Sequence, residues 1–290
     1  MMSALAPLAV LMLAQVGPDP TVGAMPGIPD ELANRPPRDT VRQNNQADEL
    51  ARCLALSQSD PDAALDRAQQ WREQSGTPLA LAQSAHCLGI AMIGLGRLDE
   101  AQRVFELAAG EAPDDGVLYG ARLSGMAGNT ALLRGRPDEA LPLLDQAGGM
   151  ASAAGDKPLA AQLRVDLSRA LVALGRDADA ASALDEARTA DAANGEAWLL
   201  SATLSRRMQH YAEAQQRIQR AGELDPRNPA VGLEAGVIAA LSGREEDAKK
   251  SFESVLLVAP DSYEAQRARG YLEQLGGGPP AAAEQPETGR

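Results

Sequence analysis

The sequence predicts an all-α solenoid of stacked helical hairpins, and three observations carry that prediction. The first is a recurring word: "GRLDEA" at 96–101, "GRPDEA" at 135–140, "GRDADA" at 175–180 and "GREEDA" at 243–248. The second is its spacing. The four leading glycines stand 39, 40 and 68 residues apart, and the last gap is twice 34, with "QHYAEA" at 209–214 as the intermediate copy. The third is composition: 44% of residues are hydrophobic but only 3% aromatic, with alanine and leucine carrying the apolar load, which favours closely packed helices over sheets. A single helix start needs no copies. Self-similarity at this period marks an array of units, each too small to hide its own apolar face and so obliged to stack on its neighbours.

The elements follow in chain order. Residues 1–18 carry no charge, and "ALAPLAVLMLA" at 4–14 is an apolar run of signal-peptide length, too short to span a bilayer. Ala14 and Ala24, the latter in Val22-Gly23-Ala24, offer cleavage points, so 1–24 is assigned as a signal-peptide-like segment. A Pro-rich linker is assigned to 25–45, the helical repeat domain to 46–275 and a disordered tail to 276–290. Within the repeat domain an irregular leading pair covers about 46–76, with "DPDAALDRAQQW" as its second helix. Units of 82–120 and 121–160 come next, both lengthened, the latter by "GGMASAAGDKP" at 148–158. A strict 34-residue period then gives 161–194, 195–228 and 229–262, and a closing helix occupies 263–274.

The spacing of small and large residues explains how such units close. Gly89, Gly128 and Gly236 let a second helix approach the first, Ala101, Ala140, Ala180, Ala214 and Ala248 do the same from the partner helix, and Phe105, Leu144, Leu184, Ile218 and Phe252 are the large knobs. A larger side chain at the small positions would overpack, at a cost of about 1–3 kcal/mol. Pro113, Pro226 and Pro260 stop second helices before the next unit.

These residues resemble the tetratricopeptide repeat. In 195–228, Trp198, Tyr211, Ala214, Ile218, Ala221 and Pro226 stand where that family places Trp, Tyr, Ala, a large apolar residue, Ala and Pro. The matches elsewhere are Gly236, Ala248, Phe252 and Pro260; Leu88, Gly89, Ala101, Phe105, Ala108 and Pro113; Gly128, Ala140, Leu144 and Ala147; and Leu167, Leu171, Ala180, Leu184 and Ala187. Departures are Ala192 for the proline, and Ser124 and Arg164 for the aromatic. The resemblance implies a right-handed superhelix, and a fold whose function lies in its surfaces.

The formal charge of −13 and the absence of a basic run exclude nucleic acid and anionic membrane as partners. His86 and His210 lack ligand-spaced neighbours, and no nucleophile elbow, phosphate loop or zinc motif is present, so neither metal, cofactor nor catalysis is expected. Carboxylates cluster instead in first turns, such as Asp99-Glu100 and Asp138-Glu139, where they serve the helix dipole. Cys53 and Cys87, the only cysteines, are 34 residues apart on first helices of adjacent units, helices that lie side by side in a solenoid. In an oxidising compartment a bond there closes a loop worth about 4 kcal/mol; otherwise the two are buried thiols.

In the family the second, fifth, ninth, twelfth and thirteenth positions of the first helices point into a concave groove. Transferred here, these are Gln83, His86, Ile90 and Ile93; Arg122, Asn129, Leu132 and Leu133; Gln162, Val165, Arg169 and Val172; Glu196, Leu199, Thr203, Arg206 and Arg207; and Leu233, Val237 and Leu241. From them the candidate binding set is Arg122, Asn129, Arg169, Leu199, Thr203, Arg206 and Arg207. The arginines are suited to gripping a carboxylate or acidic segment. Equally, they can pair with local acids such as Asp166 or Glu196. The family's carboxylate clamp is not met, because Asp166 stands where a second Asn is wanted. The expectation is a non-enzymatic scaffold binding a protein or peptide segment, exported to a Gram-negative periplasm, with a cytoplasmic location as the alternative. Alternative functions are an accessory subunit of an envelope assembly or cytochrome-maturation complex, and a redox-responsive adaptor using the cysteine pair.

Overall fold

A computed structural model describes residues 38–277, with side chains described from 48 to 276. The chain divides at Asn45–Gln46 into two units; of the first, only residues 38–45 are described, as helix. The signal-like segment 1–24 and nearly all of the tail 276–290 lie outside the described residues. The described part is all helical but for one short 3-10 turn at Asp114–Gly116 and connecting loops. Thirteen α-helices follow one another: α1 (Arg38–Ser59), α2 (Pro61–Gln74), α3 (Pro78–Gly94), α4 (Leu98–Glu111), α5 (Val117–Leu133), α6 (Pro137–Ala153), α7 (Lys157–Ala173), α8 (Asp177–Ala190), α9 (Gly195–Arg207), α10 (Tyr211–Leu224), α11 (Pro229–Leu241), α12 (Glu245–Val258) and α13 (Tyr263–Gly277). They pair as six hairpins and a closing helix. Odd-numbered helices are the first helices of hairpins and even-numbered ones the second.

One boundary differs from the sequence reading. The sequence assigns a linker through residue 45, but residues 38–45 are helical. The stretch "RDTVRQNN" has no apolar stripe to signal a helix.

The recurring GR word is the turn between the helices of a hairpin. Gly96, Gly135, Gly175 and Gly243 all have φ of 69–73°, the left-handed region that closes a helix C-terminus. At the first of these turns the Gly96 N–H bonds Ile93 O at 3.0 Å and the Arg97 N–H bonds Met92 O at 2.9 Å. The same pair of bonds recurs at Arg136, Arg176 and Arg244. At the α9–α10 turn Gln209 adopts this conformation without being glycine, at φ 63°. The lengthened unit 121–160 uses an additional such turn: α6 runs on to Ala153 and closes with Gly155 at φ 78°. Several helix starts are fixed by side-chain caps: Asp60, Thr77, Asp156, Asn194 and Asn228 accept backbone N–H groups of α2, α3, α7, α9 and α11.

Packing follows the small–large pattern. The five partner-helix alanines, Phe105, Leu144, Leu184, Ile218 and Phe252 are all buried. A Cβ added at Gly89 would lie 2.6 Å from Phe105 Cε1, and one at Gly128 2.6 Å from Leu144 Cγ. The departures are accommodated as well. Ser124 donates to Leu143 O at 3.3 Å. Arg164, standing for an aromatic, reaches Asp145 Oδ1 at 2.5 Å and Glu186 Oε2 at 2.9 Å, tying α6 to α8. With Ala192 for the proline, α8 still ends at Ala190, two residues earlier, as α4, α10 and α12 end two residues before Pro113, Pro226 and Pro260.

Candidate functional site

Successive first helices touch one another, α5 on α7, α7 on α9, α9 on α11 and α11 on α13. No two successive second helices touch to a comparable extent among the described residues. The first helices are therefore the tighter-spaced layer, the inner layer of the stack.

Charge divides between the layers. Helices α3, α5, α7, α9 and α11 carry six Lys and Arg against three Asp and Glu. Helices α4, α6, α8, α10 and α12 carry six against seventeen. The second-helix acids crowd into first turns, where the helix dipole favours them. The inner layer is thus net positive in a chain of charge −13.

Every arginine of the candidate set already has an acidic neighbour. Arg206 Nε donates to Glu234 Oε1 at 2.6 Å, a half-buried pair that joins α9 to α11. Arg169 engages Asp166 on its own helix and Glu196 on α9. Asp166 also accepts from Asn129 Nδ2 at 2.9 Å. Asn129, Asp166, Arg169 and Glu196 thus form one chain of bonds across α5, α7 and α9. Burial pushes the Asp166 carboxyl above its ordinary range, against the lowering effects of Asn129 and Arg169. Arg207 and Arg122 are held more loosely, 3.6 Å from Asp177 and 3.9 Å from Asp156, and their side chains are 45% and 58% exposed. Leu199 is half-buried, and the Thr203 hydroxyl donates to Leu199 O at 3.1 Å.

Three of the candidate residues, Arg169, Thr203 and Arg207, meet at a cleft of about 250 Å³ between α7 and α9. Its walls are Val172 and Ala173 from α7 and Leu200 and Leu204 from α9, with Ser168 beside them. Arg122, Asn129, Leu199 and Arg206 do not line it. Sequence reasoning missed Leu200, Leu204 and Ser168, which lie one place beside the transferred groove positions. It also missed Glu234. The available signal was the apolar pair Leu200 and Leu204, spaced one helical turn apart on α9.

At the other end of the inner layer His86 is buried, with its Nδ1 3.0 Å from the Tyr119 hydroxyl and its ring edge-on to Phe105. Burial lowers the imidazole to about 4, so the ring is neutral at pH 7. Burial likewise raises the Tyr119 phenol. Cys53 and Cys87 form a disulfide that joins α1 to α3, with a Cα–Cα distance of 6.0 Å and both sulfurs shielded from solvent. Among the described residues no group of three or more His, Cys, Asp or Glu is placed to hold a metal ion. No described helix is long and apolar enough to cross a membrane.

Among solved structures, PilF of Pseudomonas aeruginosa superposes with a TM-score of 0.61 at 15% identity, over 80% of this chain and 99% of that one. BtubC of P. vanneervenii gives 0.58 at 14% identity, over 81% and 96%. TTC0263, a TPR protein of Thermus thermophilus, gives 0.52 at 22% identity, over 66% and 98%. The fold is that of the tetratricopeptide repeat proteins. No family model and no curated protein matches the sequence. As a tetratricopeptide-type solenoid the chain is regular in its hairpin turns and helix–helix contacts, and individual in its ion-paired inner face and its disulfide.

Proposed function

We propose that this chain is a non-enzymatic scaffold that binds a segment of a partner protein along the trough lined by its first helices. The observation that carries this is the inner layer itself. It is net positive, continuous from α5 to α13, and keeps half-exposed apolar side chains such as Val172, Leu199, Leu233 and Val237 on the face where the candidate residues lie. A rigid preformed surface of this kind binds without a large ordering cost in the scaffold. The mechanism is docking, with specificity set by the apolar and charged residues that the partner meets.

The disulfide supports an exported protein working in an oxidising compartment, the periplasm of a Gram-negative cell, where buried cystine persists. The shielding of both sulfurs favours a structural bond over a redox-responsive adaptor. Service as an accessory subunit of an envelope assembly or cytochrome-maturation complex is a more specific form of the same scaffold role. Affinity capture from envelope fractions tests the reading. A partner retained by the wild type and released by Arg206→Ala or Arg169→Ala supports trough binding, and retention unchanged in both removes Arg169 and Arg206 from it.

A further inference from the structure

The cleft between α7 and α9 combines apolar walls with a charged rim. The walls are Val172, Ala173, Leu200 and Leu204. Its volume of about 250 Å³ falls below the roughly 300–1,000 Å³ of drug-sized ligand sites, which suits it to one bulky side chain. At its rim stand two cations of different availability. Arg169 is fully engaged by Asp166 and Glu196, whereas Arg207, 45% exposed, keeps only a 3.6 Å contact with Asp177. Arg207 makes no hydrogen bond among the described residues, so its guanidinium can donate to an incoming carboxylate while staying beside Asp177, whose buried Oδ1 has no hydrogen-bond partner of its own.

We infer that this cleft is the anchor point of the trough, and that its occupant is an acidic protein segment that seats one bulky apolar side chain between α7 and α9 and faces a flanking carboxylate to Arg207. The inference rests on the trough reading above and narrows it to a partner chemistry. Charge complementarity supplies the choice of occupant. Of the six inner-layer cations Arg164 is turned to Asp145 and Glu186 of second helices, which leaves five against three carboxylates on the first helices, while the outer layer carries six against seventeen, so an acidic segment is drawn to the trough and repelled from the back. A basic segment is steered the opposite way.

The test uses the full chain and three short fluorescein-labelled peptides read by anisotropy. One carries Asp and Glu around a central Trp, one has Ala in place of the Trp, and one has Lys in place of the acids. The Asp/Glu–Trp peptide is expected to bind at least tenfold more tightly than either of the others. Ala173→Trp, which fills the cleft from an exposed position, and Arg207→Glu, which reverses the loosely held cation, are each expected to weaken it at least tenfold. Equal or tighter binding of the Lys peptide, or wild-type binding by both variants, overturns the inference. The same variants in the envelope capture, beside Leu133→Arg on the α5 part of the face, separate the two levels. Partner loss with Leu133→Arg but not with the cleft variants overturns the cleft and leaves the trough. Retention by all three overturns both.

Discussion

The pairing of a small residue on each first helix with a large one on its second helix gives the most direct test of how this solenoid holds together. In hairpin order the pairs are Gly89 with Phe105, Gly128 with Leu144, Ser168 with Leu184, Ala202 with Ile218 and Gly236 with Phe252. Phenylalanine occurs only opposite glycine, whereas the branched aliphatics stand opposite glycine, serine or alanine. The geometry of the last pair says why. A Cβ at Gly236 would sit 2.5 Å from Phe252 Cδ1 and 2.7 Å from Cζ, and closer still to Cε1. Phe252 cannot swing away, because it is fully buried and its ring stacks on Tyr271 with centroids 5.2 Å apart.

Gly236→Ala gains about 1 kcal/mol in helix propensity but forces α11 and α12 apart, at about 1–3 kcal/mol or more for an overpacked core. Against a buried ring stacked on Tyr271 the upper part of that range applies, so the net loss is about 2 kcal/mol. Phe252→Ile alone leaves a cavity and costs about 2 kcal/mol. Combined, the two recreate the Ala202–Ile218 arrangement one hairpin earlier, so their costs do not add: a coupling of at least about 1 kcal/mol in the rescuing direction is expected. Urea unfolding followed by helical circular dichroism, with hydrogen exchange to localise the loss to α11–α13, measures all four corners of the cycle. A neutral or stabilising Gly236→Ala, or strict additivity in the double variant, would refute the idea that ring against backbone sets the spacing of the hairpin.

Three further outcomes follow from local features. Gln209→Gly should stabilise by about 1 kcal/mol, because residue 209 holds φ 63° where only glycine is unstrained; a lower urea midpoint would contradict it. Cys53→Ala with Cys87→Ala should lower amide protection in α1–α3 by up to about 4 kcal/mol while leaving α9–α12 unchanged, as hydrogen exchange read by mass spectrometry can report. His86 titrates near 4 in the fold against 6.5 for an unburied imidazole, so the unfolded chain takes its proton first on acidification. Its contribution is complete above pH 6.5 and falls by about 3 kcal/mol as the pH drops to 4. Stability of His86→Gln should lack that slope, and an unchanged slope would place its origin in other groups.

Much of the architecture was legible because it is written locally. The GR words encode a left-handed turn residue, the first-turn acids mark helix starts, and the Gly–Phe spacing encodes one helix–helix contact, so hairpins could be read singly and stacked. The disulfide was legible for the same reason: equivalent positions of adjacent units are neighbours in a solenoid. What escaped depended on register between helices or lacked an apolar signal. The first turns of α1, "RDTVRQNN", are polar almost throughout. Asp166 and Glu196 could be named from the sequence as acids near the arginines, but that Glu196 meets Arg169 and Glu234 meets Arg206 depends on how successive first helices are set beside one another. The cleft walls Leu200 and Leu204 fell outside the transferred positions because those describe an average groove, whereas local helix spacing decides where one opens.

The ion pairs bear on what the trough can recognise. Asp166, Glu196 and Glu234 are tethered beside the arginines they engage, so their effective concentration exceeds that of any free ligand. A ligand carboxylate that displaced Asp166 from Arg169 would also leave a buried acid bonded only through Asn129, a cost comparable to the strength of the new ion pair. A partner offering charge alone therefore gains little at Arg169 or Arg206. Net attraction must come from apolar surface, with the loosely held Arg122 and Arg207 selecting the sign of the flanking charge and setting the encounter rate. Raising salt should on this account slow association of an acidic partner more than it speeds dissociation. A salt effect confined to dissociation would mean that the buried pairs, and not the two loose arginines, are being broken.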